Sequence, residues 1–332
     1  MKVVGIIGGG QLAQLLAMSA YQLGIKTLCF VDDENCPAKR FSDILIANLS
    51  DENALKEFAK QVDVITVENE NIDITFLKKL EQFKPIFPSP NIIAIAQDRL
   101  LEKNYFKKLN IPTVNFILAQ SKNDLENKNG ILKTRTLGYD GKGQMRITEQ
   151  SDINAIWHDF QKDSIFEYFC DFEYEVSQII ARDQNGEVQF FPLIQNKHEA
   201  GILRQSFFSD LDYLEESARM YTKKLADALN YVGVLCVEFF VKDRVLIANE
   251  MAPRVHNSGH LTIEGCNVSQ FEQHLRAILN LKCFAPKIIQ PVEMVNIIGT
   301  WPIDLSRFQH IYNYGKQSRE NRKLGHGIII KK

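Results

Sequence analysis

The chain has 332 residues, 45% of them hydrophobic and 24% charged, with a formal net charge of −2. That length suits two or three domains at roughly 100–200 residues each, and the near-neutral balance excludes bulk binding to nucleic acid or to an acidic membrane surface. The six cysteines (29, 36, 170, 236, 266 and 283) form no Cys-x-x-Cys and sit mostly among apolar neighbours, which speaks against a disulfide framework or zinc site and for reduced thiols in a cytoplasmic protein. Val3–Gly8 is a short apolar run before glycines and reads as a strand, not a signal peptide. No uncharged apolar run approaches the ~20 residues that cross a bilayer.

Residues 1–96 alternate strand and helix: strands at Val3–Ile7, Thr27–Val31, Ile44–Ala47 and Val62–Val67, helices at Gln11–Leu23 and Glu52–Lys60. Alternation of this kind predicts an α/β unit with a parallel sheet. Gly8-Gly9-Gly10-Gln11-Leu12-Ala13 fits G-x-G-x-x-A between a strand and a helix, and Asp32 follows about 20 residues on, the pattern of a dinucleotide fold. Read for chemistry, that turn offers an anion the free N–H groups of a helix start. Read for structure, it is a tight turn that needs glycine. Glu68-Asn69-Glu70-Asn71 follows the fourth strand, at the carboxyl edge where open parallel sheets bind ligands.

Pro85, Pro88 and Pro90 mark a domain edge. Asn91–Leu109 reads as one helix carrying Gln97-Asp98-Arg99 and Lys103, Val114–Ala119 as a strand and Lys122–Lys128 as a short polar helix. Gly130–Thr134 is a strand containing Lys133, and Met145–Thr148 is the next. Between them, Gly138-Tyr139-Asp140-Gly141-Lys142-Gly143-Gln144 makes a glycine-rich hairpin whose amides suit phosphates. It is not a P-loop, since no helix follows it directly. Ile153–Lys162 reads as a helix. Strands follow at Ile165–Phe169, Glu173–Ala181, Val188–Ile194 and Ile202–Phe208, with Glu173, Glu175 and Ser177 on one face by their period of two.

Met220–Leu229 is amphipathic. Val232–Val241 and Val245–Ala248, joined by Lys242-Asp243-Arg244, read as a β-hairpin. It can set Glu238 beside Glu250, and two carboxylates that close call for a cation between them. Carboxylate and phosphate oxygens together suit Mg²⁺. Arg254, His256, Asn257, Ser258 and His260 come next, and arginine's planar fork suits a carboxylate-like anion. The segment therefore reads as the meeting point of a metal-bound nucleotide and a small anion. Gln270–Leu281 is a helix and Val292–Ile298 a strand. The tail, with Lys316, Arg319, Arg322 and Lys323, suits a phosphate monoester or is simply a solvated basic face.

Taken together, Gly8–Leu12, Gln97-Asp98-Arg99, Lys133-Thr134-Arg135, Gly138–Gln144, Glu238, Asn249-Glu250, Ala252–His260, Ser269–Glu272 and Arg322–His326 resemble, in order and over nearly the whole chain, the ATP-grasp family of 5-(carboxyamino)imidazole ribonucleotide synthetases. The resemblance implies an ATP-grasp fold in three parts: a Rossmann-like domain over 1–96, a lid over 97–166 and an ATP-grasp domain over 167–332 with a small terminal β segment. It implies carboxylation of 5-aminoimidazole ribonucleotide by ATP and bicarbonate through carboxyphosphate, ATP with Mg²⁺ or Mn²⁺, and a homodimer. By the same resemblance Arg99, Lys133, Gly138, Tyr139, Asp140, Gly141, Lys142, Gly143 and Gln144 contact ATP phosphates, and Glu167, Tyr168, Phe169, Cys170, Glu175, His198, Asn249 and Glu250 complete the nucleotide site. Glu238 and Glu250 hold the metal. Arg254, His256, Asn257 and Lys133 carry the chemistry. Gln11, Leu12, Glu70, Tyr139, Asp140, Lys316, Arg322 and Lys323 meet the ribonucleotide. Gln14 and Glu320-Asn321 depart from the family pattern, and the chain stops soon after His326, so a final strand present in longer relatives is expected to be short or missing. Two alternatives stay open: another ATP-grasp ribonucleotide ligase or formyltransferase, and an NAD-dependent oxidoreductase.

Overall fold

The computed structural model describes residues 2–138, 143–160 and 164–331. The chain opens with β1 (Val3–Ile7), α1 (Gln11–Gln22), β2 (Lys26–Val31), β3 (Asp43–Ile46), α2 (Glu52–Gln61) and β4 (Val64–Val67), and the four strands form a parallel sheet in the order β3-β2-β1-β4. Their near-continuous apolar runs are what parallel strands covered on both faces require. Asp51 caps α2 by accepting from the amides of Asn53 and Ala54.

Two helices depart from the expected pattern. The segment after β4 folds into α3 (Ile74–Glu81), capped by Asp73, which the short gap before the prolines had hidden. The single helix expected over 91–109 is two, α4 (Pro90–Gln97) and α5 (Arg99–Lys108). Asp98 breaks them apart because its carboxylate caps α5 through the amides of Leu100 and Leu101.

The second sheet holds β5 (Phe116–Ala119), β6 (Gly130–Thr134), β7 (Gln144–Ile147) and, after α6 (Ile153–Phe160), β8 (Ser164–Tyr168), antiparallel in the order β5-β8-β6-β7. The polar helix expected after β5 is one 3-10 turn, Lys122–Leu125.

The third sheet is the largest. Its members are β9 (Tyr174–Arg182), β10 (Val188–Phe190), β11 (Ile194–Glu199), β12 (Ile202–Phe208), β13 (Gly233–Lys242), β14 (Val245–Ala252), β15 (Val292–Ile298), β16 (His310–Asn313) and β17 (Lys323–Ile330). The order runs β14-β13-β9-β11-β12-β15-β17-β16, with β10 on β9. The strand through His326 is eight residues long and pairs with both β15 and β16. Helix α7 (Glu215–Ala228) lies against β9 and β13; after a short α8 (Thr262–Gly265), α9 (Gln270–Ile278) also packs on β13 and β9.

One apolar core fuses the first and third sheets: Leu12, Leu15 and Leu16 of α1 share it with Phe271, Leu275 and Ile278 of α9. A buried hydrogen bond between Thr66 Oγ1 and His274 Nε2, 2.8 Å, spans the same seam. The carboxyl ends of β1 and β4 are thereby held facing the β13–β14 hairpin. All six cysteines are free. Among the described residues no helix is long and apolar enough to cross a membrane.

Candidate active site

The three sheets surround a cavity of about 820 Å³. Its floor is the β13–β14 hairpin. In plain antiparallel register Glu238 would face Asn249, because Phe239 pairs with Ala248. A β-bulge after Glu238 inserts one residue, so that Glu238 faces Glu250 instead. Two residues of α5 grip the bulged strand: Lys103 donates to the carbonyl of Asn249, and the Glu102 carboxylate accepts from the amide of Met251 at 2.6 Å. Both side chains are buried. They lie at positions −4 and −3 from the core residue Phe106, and charges on an apolar helical stripe are the signal that could have marked them from sequence.

Burial and the facing Glu250 push the Glu238 carboxyl up to about 7. Such a pair fits a divalent cation, which would relieve the repulsion and take phosphate oxygens on its free side. Along the same wall Glu175 and His198, on β9 and β11, pair at 2.7 Å. Ligand atoms of Glu175, His198 and Glu238 lie within 4.8 Å of one another, a second set able to hold a metal. Burial alone would lower the His198 pKa, but Glu175 and the neighbouring carboxylates raise it.

Beyond β14 the chain turns through Arg254, His256 and Asn257, all lining the cavity. Burial, then Arg254, holds the His256 imidazole neutral, well below its usual pKa. Its Nδ1 accepts from the Ser258 amide at 3.3 Å, which assigns the ring proton to Nε2, 3.3 Å from Glu238 Oε1. The Asn257 amide is buried with neither Nδ2 nor Oδ1 hydrogen-bonded in the protein. A buried orphan amide on a cavity wall is a ligand-binding feature. Arg254 grips Glu70, through Nε to Oε2 and through Nη2 to Oε1 at 3.0 Å.

Charge is also concentrated where the second sheet closes the cleft. Lys133 sits 2.7 Å from Glu167 Oε2, and Lys103 lies 3.4 Å from Oε1. Burial opposes ionisation of Glu167, yet the two ammonium groups hold its carboxyl down to about 2. Arg99 donates to the carbonyls of Thr134 (2.7 Å), Leu137 (3.2 Å) and Gly138 (2.8 Å), so it secures the base of the glycine hairpin. Gly138 and Gln144 line the cavity; Tyr139, Asp140, Gly141 and Lys142 lie outside the described residues, and the Gly143 carbonyl accepts from the Thr134 amide. Sequence reading missed the apolar wall, where Ile131, Leu203 and Met251 join Phe172 stacked on Phe240 at 4.3 Å. A flat base fits such a wall.

At the opposite end, Gln11, Leu12, Glu70, Lys316 and Lys323 line the cavity, with Lys316 on the Gln11 amide oxygen. Arg322 does not line it and donates to the Gln317 carbonyl at 3.5 Å. Tyr168, Phe169 and Cys170 do not line it either; Phe169 lies under Arg146. Gln14 is buried and donates to the Asn313 carbonyl at 3.0 Å, and Asn321 adopts a left-handed φ of 58°, a conformation asparagine tolerates better than most residues. The dinucleotide alternative fails on Glu68. Its carboxylate accepts from the amides of Gly10 (2.6 Å) and Ala13 (3.2 Å), filling the helix start where a pyrophosphate would bind. A Cβ on Gly8 or Gly10 would come within 2.7 Å of that carboxylate, so these glycines serve its approach.

Comparison with known proteins agrees with this geometry. Residues 1–97 match the ribonucleotide synthetase preATP-grasp domain, and 104–271 the ATP-grasp domain. The N5-carboxyaminoimidazole ribonucleotide synthase of Pseudomonas aeruginosa is 38% identical over 98% of this chain and 94% of its own. The chain belongs to the N5-carboxyaminoimidazole ribonucleotide synthase family. Among solved members of that family, the Staphylococcus aureus synthetase complexed with ADP superposes with a TM-score of 0.94 at 32% identity, covering 99% of this chain and 93% of that one. The Aspergillus clavatus synthase in complex with ADP and 5-aminoimidazole ribonucleotide gives 0.89 at 30% identity, covering 99% and 94%. The fold is thus the ATP-grasp fold with its preceding domain.

Proposed function

We propose that this chain is an ATP-dependent ligase that carboxylates 5-aminoimidazole ribonucleotide with bicarbonate, giving the N5-carboxyamino ribonucleotide of purine biosynthesis. The observation that carries the reading is the bulge that faces Glu238 with Glu250 beside Arg254, His256 and Asn257. Bicarbonate is a poor electrophile, and phosphorylation to carboxyphosphate supplies a leaving group. Its oxygen attacks the γ-phosphorus, the bond to the β-phosphate oxygen breaks, and ADP departs. Most of the help is positional and electrostatic.

In this reading Glu238 and Glu250 hold Mg²⁺ or Mn²⁺, which neutralises phosphate charge when bound. Arg254 grips the one-carbon oxyanion, with the Nε2–H of His256 and the Asn257 amide as further partners. Lys133, Arg99 and the 138–144 hairpin serve the ATP phosphates. The apolar wall takes the base, and Glu175, His198 and Asn249 the rest of the nucleoside. Gln11, Leu12 and Glu70 meet the ribonucleotide, and Lys316 and Lys323 its phosphate. A division into 1–96, 97–166 and 167–332 is proposed on the three sheets, although its second boundary falls inside β8 of the second sheet and α5 packs against β14 of the third part. The family resemblance extends the proposal to a homodimer, which sedimentation would read. The function is tested with labelled bicarbonate: label should enter the product only with ATP and the ribonucleotide present. Ligation of the amine without label would assign a different ligase.

A further inference from the structure

Every nitrogen of the Arg254 guanidinium has a protein acceptor. The Nε and Nη2 edge carries the Glu70 carboxylate, and Nη1 donates to the Val255 carbonyl at 3.1 Å. Glu70 is itself held ionised: burial opposes charge on it, but Arg254 pulls its pKa down. A carboxylate and the CO₂⁻ face of bicarbonate share one shape, two equivalent oxygens in a plane that matches the guanidinium fork. Glu70 therefore occupies the edge of Arg254 best suited to that substrate. In the same cavity, the buried Asn257 amide has no protein partner. The pocket is furnished for an oxyanion while its cation is neutralised from within.

Glu70 and Arg254 belong to different parts of the fold, the loop after β4 and the turn after β14. Gln97 pins that loop, its Nε2 donating to the carbonyls of Glu70 and of Ile72, the latter at 2.6 Å. The backbone is fixed, so the carboxylate can move only by its own torsions. Gln11 and Leu12 line the same end of the cavity. An aminoimidazole ribonucleotide presents N–H and O–H donors there, and a carboxylate is an acceptor without donors.

We propose that Glu70 makes capture of bicarbonate conditional on the ribonucleotide, which rests on the carboxylating function proposed above. When the donor-rich substrate arrives, the Glu70 carboxylate turns to it, and the vacated edge of Arg254 takes the oxyanion. Without that substrate, bicarbonate must displace a buried bidentate ion pair. The arrangement suppresses a wasteful reaction. In it bicarbonate attacks the γ-phosphorus of ATP, ADP leaves with the bridging oxygen, and a proton is released; carboxyphosphate then takes up that proton and splits into CO₂ and hydrogen phosphate.

The test measures phosphate release from ATP by the wild type and Glu70→Gln, with bicarbonate and without ribonucleotide. Coupling of ordinary size predicts a bicarbonate-dependent rate roughly tenfold or more above wild type in the variant. The KM for bicarbonate should fall with rising ribonucleotide in the wild type and be independent of it in Glu70→Gln, a response that a merely structural role would not give. ADP binding confirms that the variant is folded; otherwise Glu70→Asp, which keeps the charge but is one methylene too short, should show a partial leak. A wild type that never uses bicarbonate with ribonucleotide refutes the function itself. A wild type that carboxylates, paired with variants as silent as it is without ribonucleotide, overturns the role of Glu70.

Discussion

The two ends of the cleft treat charge in opposite ways. At the N-terminal end each acid has a protein partner: Glu68 sits on the amides of Gly10 and Ala13, and Glu70 on Arg254. At the hairpin end Glu238 faces another carboxylate across the strand pair, its pKa climbs to about 7, and the Asn257 amide bonds to nothing in the protein. The difference separates two features that look alike in sequence. A glycine turn at a helix start is no phosphate site when the chain supplies its own anion. Polar groups left unmatched in a buried cleft are where a ligand completes the structure.

The largest effect should come from the unmatched end. Glu250→Gln removes one of the facing carboxylates at almost constant shape and should lower phosphate release by at least ~10²–10³-fold, as loss of a key electrostatic group does. Near-normal turnover would remove the metal from this pair.

Next in size is Glu167, whose two ammonium partners include the buried Lys103. Glu167→Gln leaves that charge uncompensated and should cost about 3–5 kcal/mol in urea unfolding. The sign with pH follows from a carboxyl lowered from 4.5 to about 2 in the folded protein. Its stabilisation is full above 4.5 and is lost as pH falls through 2, so the gap between wild type and variant should narrow over that window. A gap that widened on acidification would contradict the ion triad.

Asn257→Leu sharpens the comparison by separating function from stability. The amide has no protein partner to lose, so the unfolding midpoint should hold or rise, while turnover falls by the equivalent of about 1–3 kcal/mol for a lost buried hydrogen bond. A variant that unfolds readily and still turns over would reverse the argument. The smallest change belongs to the matched end. Gly10→Ala brings a Cβ within 2.7 Å of both Glu68 oxygens, which should cost about 1–3 kcal/mol of stability. Saturable NADH binding by fluorescence, in either protein, would revive the dinucleotide reading.

Much of this was legible in the sequence because the signals are local. The parallel strands follow from apolar runs, the hairpin from two runs around Lys242-Asp243-Arg244, and the cleft lining from polar residues packed between them. What stayed hidden depends on tertiary register. No spacing rule sets Glu250 rather than Asn249 opposite Glu238; the bulge does, and Glu102 and Lys103 from another element clamp it. The break at Asp98 was masked by helical propensity on both sides. Arg99, given to ATP phosphates by resemblance, lines the cavity and also bonds three carbonyls at the hairpin base through Nη1 and Nη2, a second role that no spacing announces.

The most direct test withholds each co-substrate in turn while phosphate release from ATP and Mg²⁺ is followed. Full turnover should require bicarbonate and 5-aminoimidazole ribonucleotide together. Turnover that persists without bicarbonate, driven by another amine, would contradict the assignment of Arg254 and its neighbours to a one-carbon oxyanion.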